Sequence, residues 1–400
     1  MTEKVVIKGQ WWLPDTPNNR VSGTLTYTPH ESICLELIGS LQGEDLVSIM
    51  SLNSVPIIFG EASNSHKITL FGNVKSITNN FACSFSLSSY KCNLLIDGFH
   101  LKDSNELHRY EVQARFRGLE YWCYPRMLET KLTDTSVTYK VKDTRYKIVK
   151  NVTLGDRLSL SLRWGIELRA SVLQLSPNCS QYTSFFLNYK HKVTFNSIWK
   201  EINQIEDFLS FASLQEIECE GMTISYGKSS ANIYFLTSKP QQEIKPTHNF
   251  LFGYSEIEDV YTTMIQKWFL NDEEIRPIRS HLIKAIRKKS YFDSTDFLIV
   301  IYALEGYALR FIDDKLNFTN AINSIIEQYK DIEIISKMTF DVDILRNSRN
   351  YYSHFMPEDN RKHYTEIELL HETKKLKKLL YCCMLSFSGI DNERINKLIK

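Results

Sequence analysis

"DVDILRNSRNYYSHFMPEDNRKHY", Asp341 to Tyr364, sets an arginine, an asparagine and a histidine in the order Arg349-Asn350-x3-His354 within what reads as an amphipathic helix. Residues three and four apart share a helix face. Arg346, Asn350 and His354 therefore line up at i, i+4 and i+8, with Arg349 and Ser353 beside the row. Leu345, Ser348, Tyr352 and Phe355 fall on the other side, which suits burial. Asp341 is placed to cap this helix and Pro357 to end it.

Around that helix the hydrophobic pattern has a period of about 3.6 residues. Ser255-x-x-Glu258 is a capping box for "SEIEDVYTTMIQKWFL". Asp293 or Ser294 caps "TDFLIVIYALEGYALRFI", and Thr319 precedes or begins "NAINSIIEQYKD". A long helix runs from about Thr365 to Ser388 and stops at Gly389, a plausible C′ glycine. About five helices with short connections make an antiparallel bundle.

Toward the N-terminus the period changes to two. "GTLTYT", "CLELIG", "HKITLFG", "CSFSLSS" and "RLSLSLRW" alternate as half-buried strands do, with turn signals such as "PDTPNN" and "LSPNCS" between them. "FNSIWKEINQIEDFLSFAS", Phe195 to Ser213, breaks the pattern with helical spacing, and the strands "MTISYG" and "ANIYFL" follow it. Pro240 and Pro246 mark "SKPQQEIKPTHNF" as a connector. The expected fold is α+β in two domains. Residues 1–240 form an antiparallel β-sandwich-like domain with one helix, and residues 241–400 an all-α helical bundle.

The 43% hydrophobic and 24% charged shares are those of a folded protein, and a net charge of +1 gives no global attraction to nucleic acid. The eight cysteines show neither zinc spacing nor a disulfide framework. "MTEKVVIKGQWW" holds no signal-like apolar run, and "FLIVIYALEGYALRFI" is broken by Glu305 and Arg310. The expectation is a cytoplasmic protein with no membrane segment, no metal and no cofactor.

The chemistry that the helix suggests is phosphodiester cleavage. A histidine transfers protons near neutral pH, and an arginine holds phosphate and offsets charge built up during attack. With RNA the 2′-hydroxyl is the nucleophile, leaving a 2′,3′-cyclic phosphate and a 5′-hydroxyl. Arg276 and His281 repeat the spacing, but Pro277 stands where Asn350 stands in the other pair, so Arg349 and His354 are preferred. Arg346, Arg361 and Lys362 are candidate RNA contacts. Lys374, Lys375, Lys377 and Lys378 read as a solvated helix face, and "RKKSYF" as a helix end with a basic–aromatic mix. Glu305 has two readings, a pair with an arginine of the bundle and, preferred, satisfaction of Arg310 or a nearby backbone group. "LEYWCYPRM" reads as an aromatic core strand in preference to a ligand platform, and Cys382 and Cys383 as core residues.

"LRNSRNYYSHF", in the penultimate large helix of a C-terminal bundle, resembles the HEPN superfamily, whose hallmark is Arg, a polar residue, three to five residues and then His. "YALEGYALR" is similar to an earlier helix of the ApeA-like HEPN group. "IKGQWWLPDTPNNRVSGTLTYTP", with Trp-Trp-x-Pro, Gly-Thr-Leu-x-Tyr and then "LELIG", resembles the start of the β-rich domain of ApeA-type antiphage proteins. The resemblance implies a metal-independent endoribonuclease in which two HEPN domains pair as a homodimer and both motifs line one cleft. Arg349 would stabilise the phosphorane-like charge, His354 would be the general acid or base, and Asn350 would orient groups or touch phosphate. It also implies abortive defence by RNA degradation, with transfer RNA as substrate and a phage-derived trigger at the N-terminal domain. The alternatives are a catalytically inactive HEPN antitoxin or binding module, or a ligand-binding β domain on a helical assembly platform.

Overall fold

The computed structural model describes residues 3–41, 54–76, 87–103, 111–124, 128–134, 136–141, 146–169, 178–191, 193–226, 229–237, 244, 250–287, 291–354 and 361–399. Its strands are β1 Val5–Trp12, β2 Val21–Thr28, β3 Ser32–Ile38, β4 Ser54–Ala62, β5 Lys67–Ser76, β6 Leu87–Cys92, β7 Leu94–Asp97, β8 Glu111–Phe116, β9 Leu128–Thr133, β10 Ser136–Val141, β11 Tyr146–Leu154, β12 Leu158–Arg169, β13 Asn178–Tyr189, β14 Cys219–Tyr226 and β15 Ser229–Phe235. Its helices are α1 Leu119–Trp122, α2 Phe195–Ser213, α3 Tyr254–Ile257, α4 Tyr261–Leu270, α5 Asp272–Arg287, α6 Ser294–Phe311, α7 Phe318–Gln328, α8 Glu333–Ser336, α9 Val342–His354, α10 Glu366–Phe387 and α11 Asn392–Leu398.

The N-terminal region is β-rich as expected, but it is a barrel with extra strands and not a sandwich. β5, β4, β1, β2, β3 and β6 pair in that order, and β6 returns to β5 to close a six-stranded ring. The cause lies in one strand. Ile68 to Phe71 of β5 pair with β7, whereas Val74 to Ser76 pair with β6. Gly72 sits between the two registers at φ +65°, and a Cβ there would lie 2.6 Å from the Asn93 amide nitrogen. Asn93 alone separates β6 from β7 and donates its N–H to Phe71 O at 3.0 Å. Glycine is the residue that takes this conformation without a steric penalty, so β5 can serve two neighbours on one edge. Alternating side chains such as Trp11, Leu25, Leu35, Ile58, Leu70 and Tyr90 fill the barrel.

Beyond β7 the sheet continues through β15, β14, β8, β13 and β12 to β11. α2 lies on this extension. Thr194 caps it, and Ile198, Ile202, Ile205 and Phe208 are buried at helical spacing. The same apolar cluster runs on into the helices. Trp268 of α4 packs edge-on against Phe208 and stacks on Phe211, and its indole N–H donates to Gln204 O at 2.9 Å. Charges reinforce the contact: Arg279 of α5, 3% exposed, bonds Asp272 at 2.5 Å and Asp207 of α2 at 3.2 Å.

Two expected elements take other forms. The segment from Leu119 is one helical turn, entered through Gly118 at φ +75°, in which Trp122 is buried. "SEIEDVYTTMIQKWFL" is two helices, α3 and α4. Glu256, not Glu258, caps the first by accepting the Gly253 N–H at 2.7 Å. Asp293 caps α6, Asn317 caps α7 and Thr365 caps α10. Gly389, at φ +91°, ends α10 as expected, and Cys382 and Cys383 are fully buried. The connector at 238–250 lies outside the described residues apart from Ile244 and Phe250, and Pro357 and Phe355 lie outside them as well. Among the described residues no helix is long and apolar enough to cross a membrane.

Candidate active site

Asp341 Oδ1 accepts the Ile344 N–H at 3.0 Å and starts α9. Leu345 and Ser348 are buried and fix which side of the helix faces α6 and α7. Ser348 Oγ donates to Ile344 O at 2.8 Å and accepts the Tyr364 N–H at 2.9 Å. The Tyr352 hydroxyl donates to Tyr364 O at 3.0 Å, and the Asn347 amide donates to Lys362 O at 3.1 Å. Residues 362–364 are therefore strapped along one side of α9.

On the other side, the Arg349 guanidinium reaches α6. Nη2 lies 3.2 Å and 3.5 Å from the two Glu305 oxygens, and Nη1 donates to Asn350 Oδ1 at 3.1 Å. Its Cζ also lies 5.7 Å from the Tyr302 ring centre and 5.6 Å from that of Phe318. With 26% of the Arg349 side chain and 19% of the Glu305 side chain exposed, this pair is screened less than a surface ion pair. It sets the direction of the guanidinium. Arg349 Nε and Ser353 Oγ, one turn apart, are buried with no hydrogen-bond partner among the described residues.

His354 is exposed at the C-terminal end of α9, and no side chain among the described residues bonds to it. Five positions on a 3.6-residue helix is about 140° of rotation. The structure thus brings Arg349, Asn350 and Glu305 together and leaves His354 on a different flank of the same helix. Arg346 is exposed and tied to Asp343 at 3.1 Å and to Thr319 Oγ1 at 3.3 Å. Arg361 and Lys362 are exposed on the strap. A groove at the start of α9 is lined by Asp341, Asp343 and Glu372 against Lys375, an acidic balance that suits phosphate poorly.

Of the two readings of Glu305, the one not preferred, a pair with an arginine of the bundle, is the one the structure shows. Its partner is Arg349, whereas Arg310 donates to Glu274 O at 3.0 Å. The signal was present, since an acid amid apolar residues on a packed helix needs a cation. The four lysines of α10 do not form one solvated face. Lys374 is exposed, Lys375 bonds Glu372 at 2.6 Å, and Lys377 donates to Ala285 O at 2.9 Å, with burial lowering its pKa. In α5 Arg276 is exposed, and His281 Nδ1 lies 2.8 Å from Pro277 O. Of "RKKSYF", Arg287 lies 3.6 Å from Asp207, Tyr291 is exposed, and residues 288–290 lie outside the described residues.

Comparison with known families gives two matches. The model of ApeA N-terminal domain 1 matches residues 6–268, and that of the Apea-like HEPN domain matches residues 298–394. The second span contains Glu305 and the whole of α9, whereas Arg276 and His281 fall between the two. No curated protein and no solved structure matches the chain.

Proposed function

We propose a function from one premise: the chain belongs to the ApeA family, with an ApeA N-terminal domain followed by an Apea-like HEPN domain. HEPN domains are typically ribonuclease modules that bind RNA and dimerise, and ApeA-like domains fit antiphage defence. On our reading the protein is a metal-independent endoribonuclease that acts in abortive infection, with transfer RNA as its substrate. The β-rich region restrains the nuclease until a phage-derived trigger is sensed.

In this mechanism the 2′-hydroxyl of a ribose attacks the adjacent phosphorus and the 5′-oxygen of the next nucleotide leaves. His354, exposed to a substrate, transfers the proton as general base or acid. Arg349 offsets the charge that builds on the phosphate oxygens, and Asn350, already bonded to it, orients the guanidinium or touches phosphate. Arg346, Arg361 and Lys362 contact the RNA backbone. Arg349 and His354 leave α9 about 140° apart, and on this reading a second copy completes the cleft around the phosphate. Two HEPN domains paired across α9 would let the arginine of one copy and the histidine of the other face one cleft. The reading therefore includes a homodimer.

The observation that carries the proposal is the half-buried Arg349–Glu305 pair, which aims a guanidinium beside Asn350 on the helix whose end exposes His354. An inactive HEPN module is the second reading, and the intact Arg349, Asn350 and His354 set disfavours it. Expressing the wild type and His354→Ala in a bacterium separates the two. The nuclease reading expects toxicity and fragmented cellular RNA from the wild type alone. Equal toxicity, or intact RNA in both cultures, contradicts it.

A further inference from the structure

The strap on α9 carries a feature that the proton-transfer scheme does not use. The His363 imidazole lies flat on the Tyr351 ring, with centroids 4.0 Å apart and planes 13° from parallel. Tyr352 stands edge-on to both rings, 4.9 Å from Tyr351 and 6.4 Å from His363. Residues on either side of His363 are fixed to the helix by the Lys362 carbonyl and by the N–H and carbonyl of Tyr364. The stack is thus held in place before any ligand arrives. His363 Nδ1 lies 3.3 Å from Arg361 O, a further contact within the strap.

Both rings are half-buried and keep part of their surface in solvent. Tyr351 precedes His354 by three residues, which puts the two on one face of α9. The exposed Arg361 and Lys362 adjoin the stack in the chain. A rigid pair of aromatic rings, beside a proton-transfer residue and two cations, has the chemistry that binds an unpaired nucleotide. Bases splayed from single strands stack on such rings, whereas bases within a duplex are not available to do so.

We propose that Tyr351 and His363 form a stacking platform for an unpaired base of the RNA next to the bond that His354 acts on. This rests on the ribonuclease reading above and narrows its substrate to single-stranded segments such as loops. His363 is a specificity-determining residue in this account.

The test measures RNA binding to the full-length His354→Ala protein, so that cleavage does not intervene. Adding His363→Ala is expected to weaken binding of a single-stranded RNA oligonucleotide about tenfold and to leave a duplex of the same sequence unaffected. His363→Phe, which keeps a flat ring, restores most of the loss. An oligonucleotide series with one abasic position should contain a member for which His363→Ala costs nothing further. Equal binding with and without His363, an equal loss for single strand and duplex, or no single-strand binding at all would overturn the proposal. Cleavage is followed separately in the His354-intact protein. A protein that cuts RNA with its KM indifferent to His363→Ala keeps the nuclease reading and loses the platform. A protein that binds single strands through His363 but cuts nothing keeps the platform and loses the nuclease.

Discussion

The chain carries the same spacing twice, Arg276 with His281 on α5 and Arg349 with His354 on α9, and the two sites differ in everything but spacing. Arg276 is exposed and followed by a proline, and its histidine faces a carbonyl of its own helix. Arg349 is half-buried, paired with Glu305 from another helix and bonded to the adjacent Asn350. Only the second pair lies within the HEPN match. A motif of two residues on a helix is thus informative when another helix has been built to orient one of them. On α5 the buried arginine is Arg279, and its role is to join the helices to α2.

Four substitutions probe that contrast. Arg349→Ala should reduce RNA cleavage about 10³-fold, as loss of a charge-stabilising group does, while Arg276→Ala stays within about twofold. Initial rates on one RNA check this, and equal losses would erase the distinction between the helices. Arg279→Ala removes the cation that Asp207 and Asp272 share, leaving Lys200 beside Asp272 and Arg287 beside Asp207, and should cost about 2 kcal/mol in denaturant unfolding. A loss below about 1 kcal/mol would mean that the network does not join α5 to α2. Glu305→Gln keeps the shape of the pair and removes its charge, so cleavage should fall about tenfold with stability nearly unchanged. No change in rate would make Glu305 a bystander.

The smallest effect concerns Glu206, next to Asp207 on α2. Burial pushes its carboxyl up to about 7 from an ordinary 4.5, against the opposing bond from the Cys219 N–H and the charge of Arg287. The folded state therefore holds a proton that the unfolded chain has lost. This contribution to stability is fully present below pH 4.5 and is lost as the pH rises through about 7. Glu206→Gln stays neutral, so its melting temperature should match the wild type near the bottom of that window. It should exceed it by roughly a few degrees above the window. Parallel curves across the range would show that Glu206 is ionised throughout.

What could be read from the residues follows the range of the interactions involved. Period-two segments gave most strands, because a half-buried strand records its environment at every second residue, as Leu25 and Tyr27 do in "GTLTYT". α2, α9 and α10 were legible from apolar spacing, and the start of α9 from the cap Asp341. Closure of the barrel was not, because it depends on the pairing of Val74 with Lys91 and on the turn at Gly72, which no local period records. Leu119 to Trp122 looked like a strand because aromatic residues favour both strands and cores, whereas the deciding residue was Gly118 before it. At the site, Arg349, Asn350 and His354 stood out by spacing. For Glu305 a bundle arginine was legible as a partner but not which one, because Arg310 is close in sequence and Arg349 is close only in space.

End-group analysis of RNA treated with purified wild type, His354→Ala and His281→Ala, in EDTA, tests the central claim most directly. The account predicts fragments with 2′,3′-cyclic phosphate and 5′-hydroxyl ends from the wild type and His281→Ala, and none from His354→Ala. The same ends from His354→Ala, or no cyclic phosphate from any of the three, would contradict it.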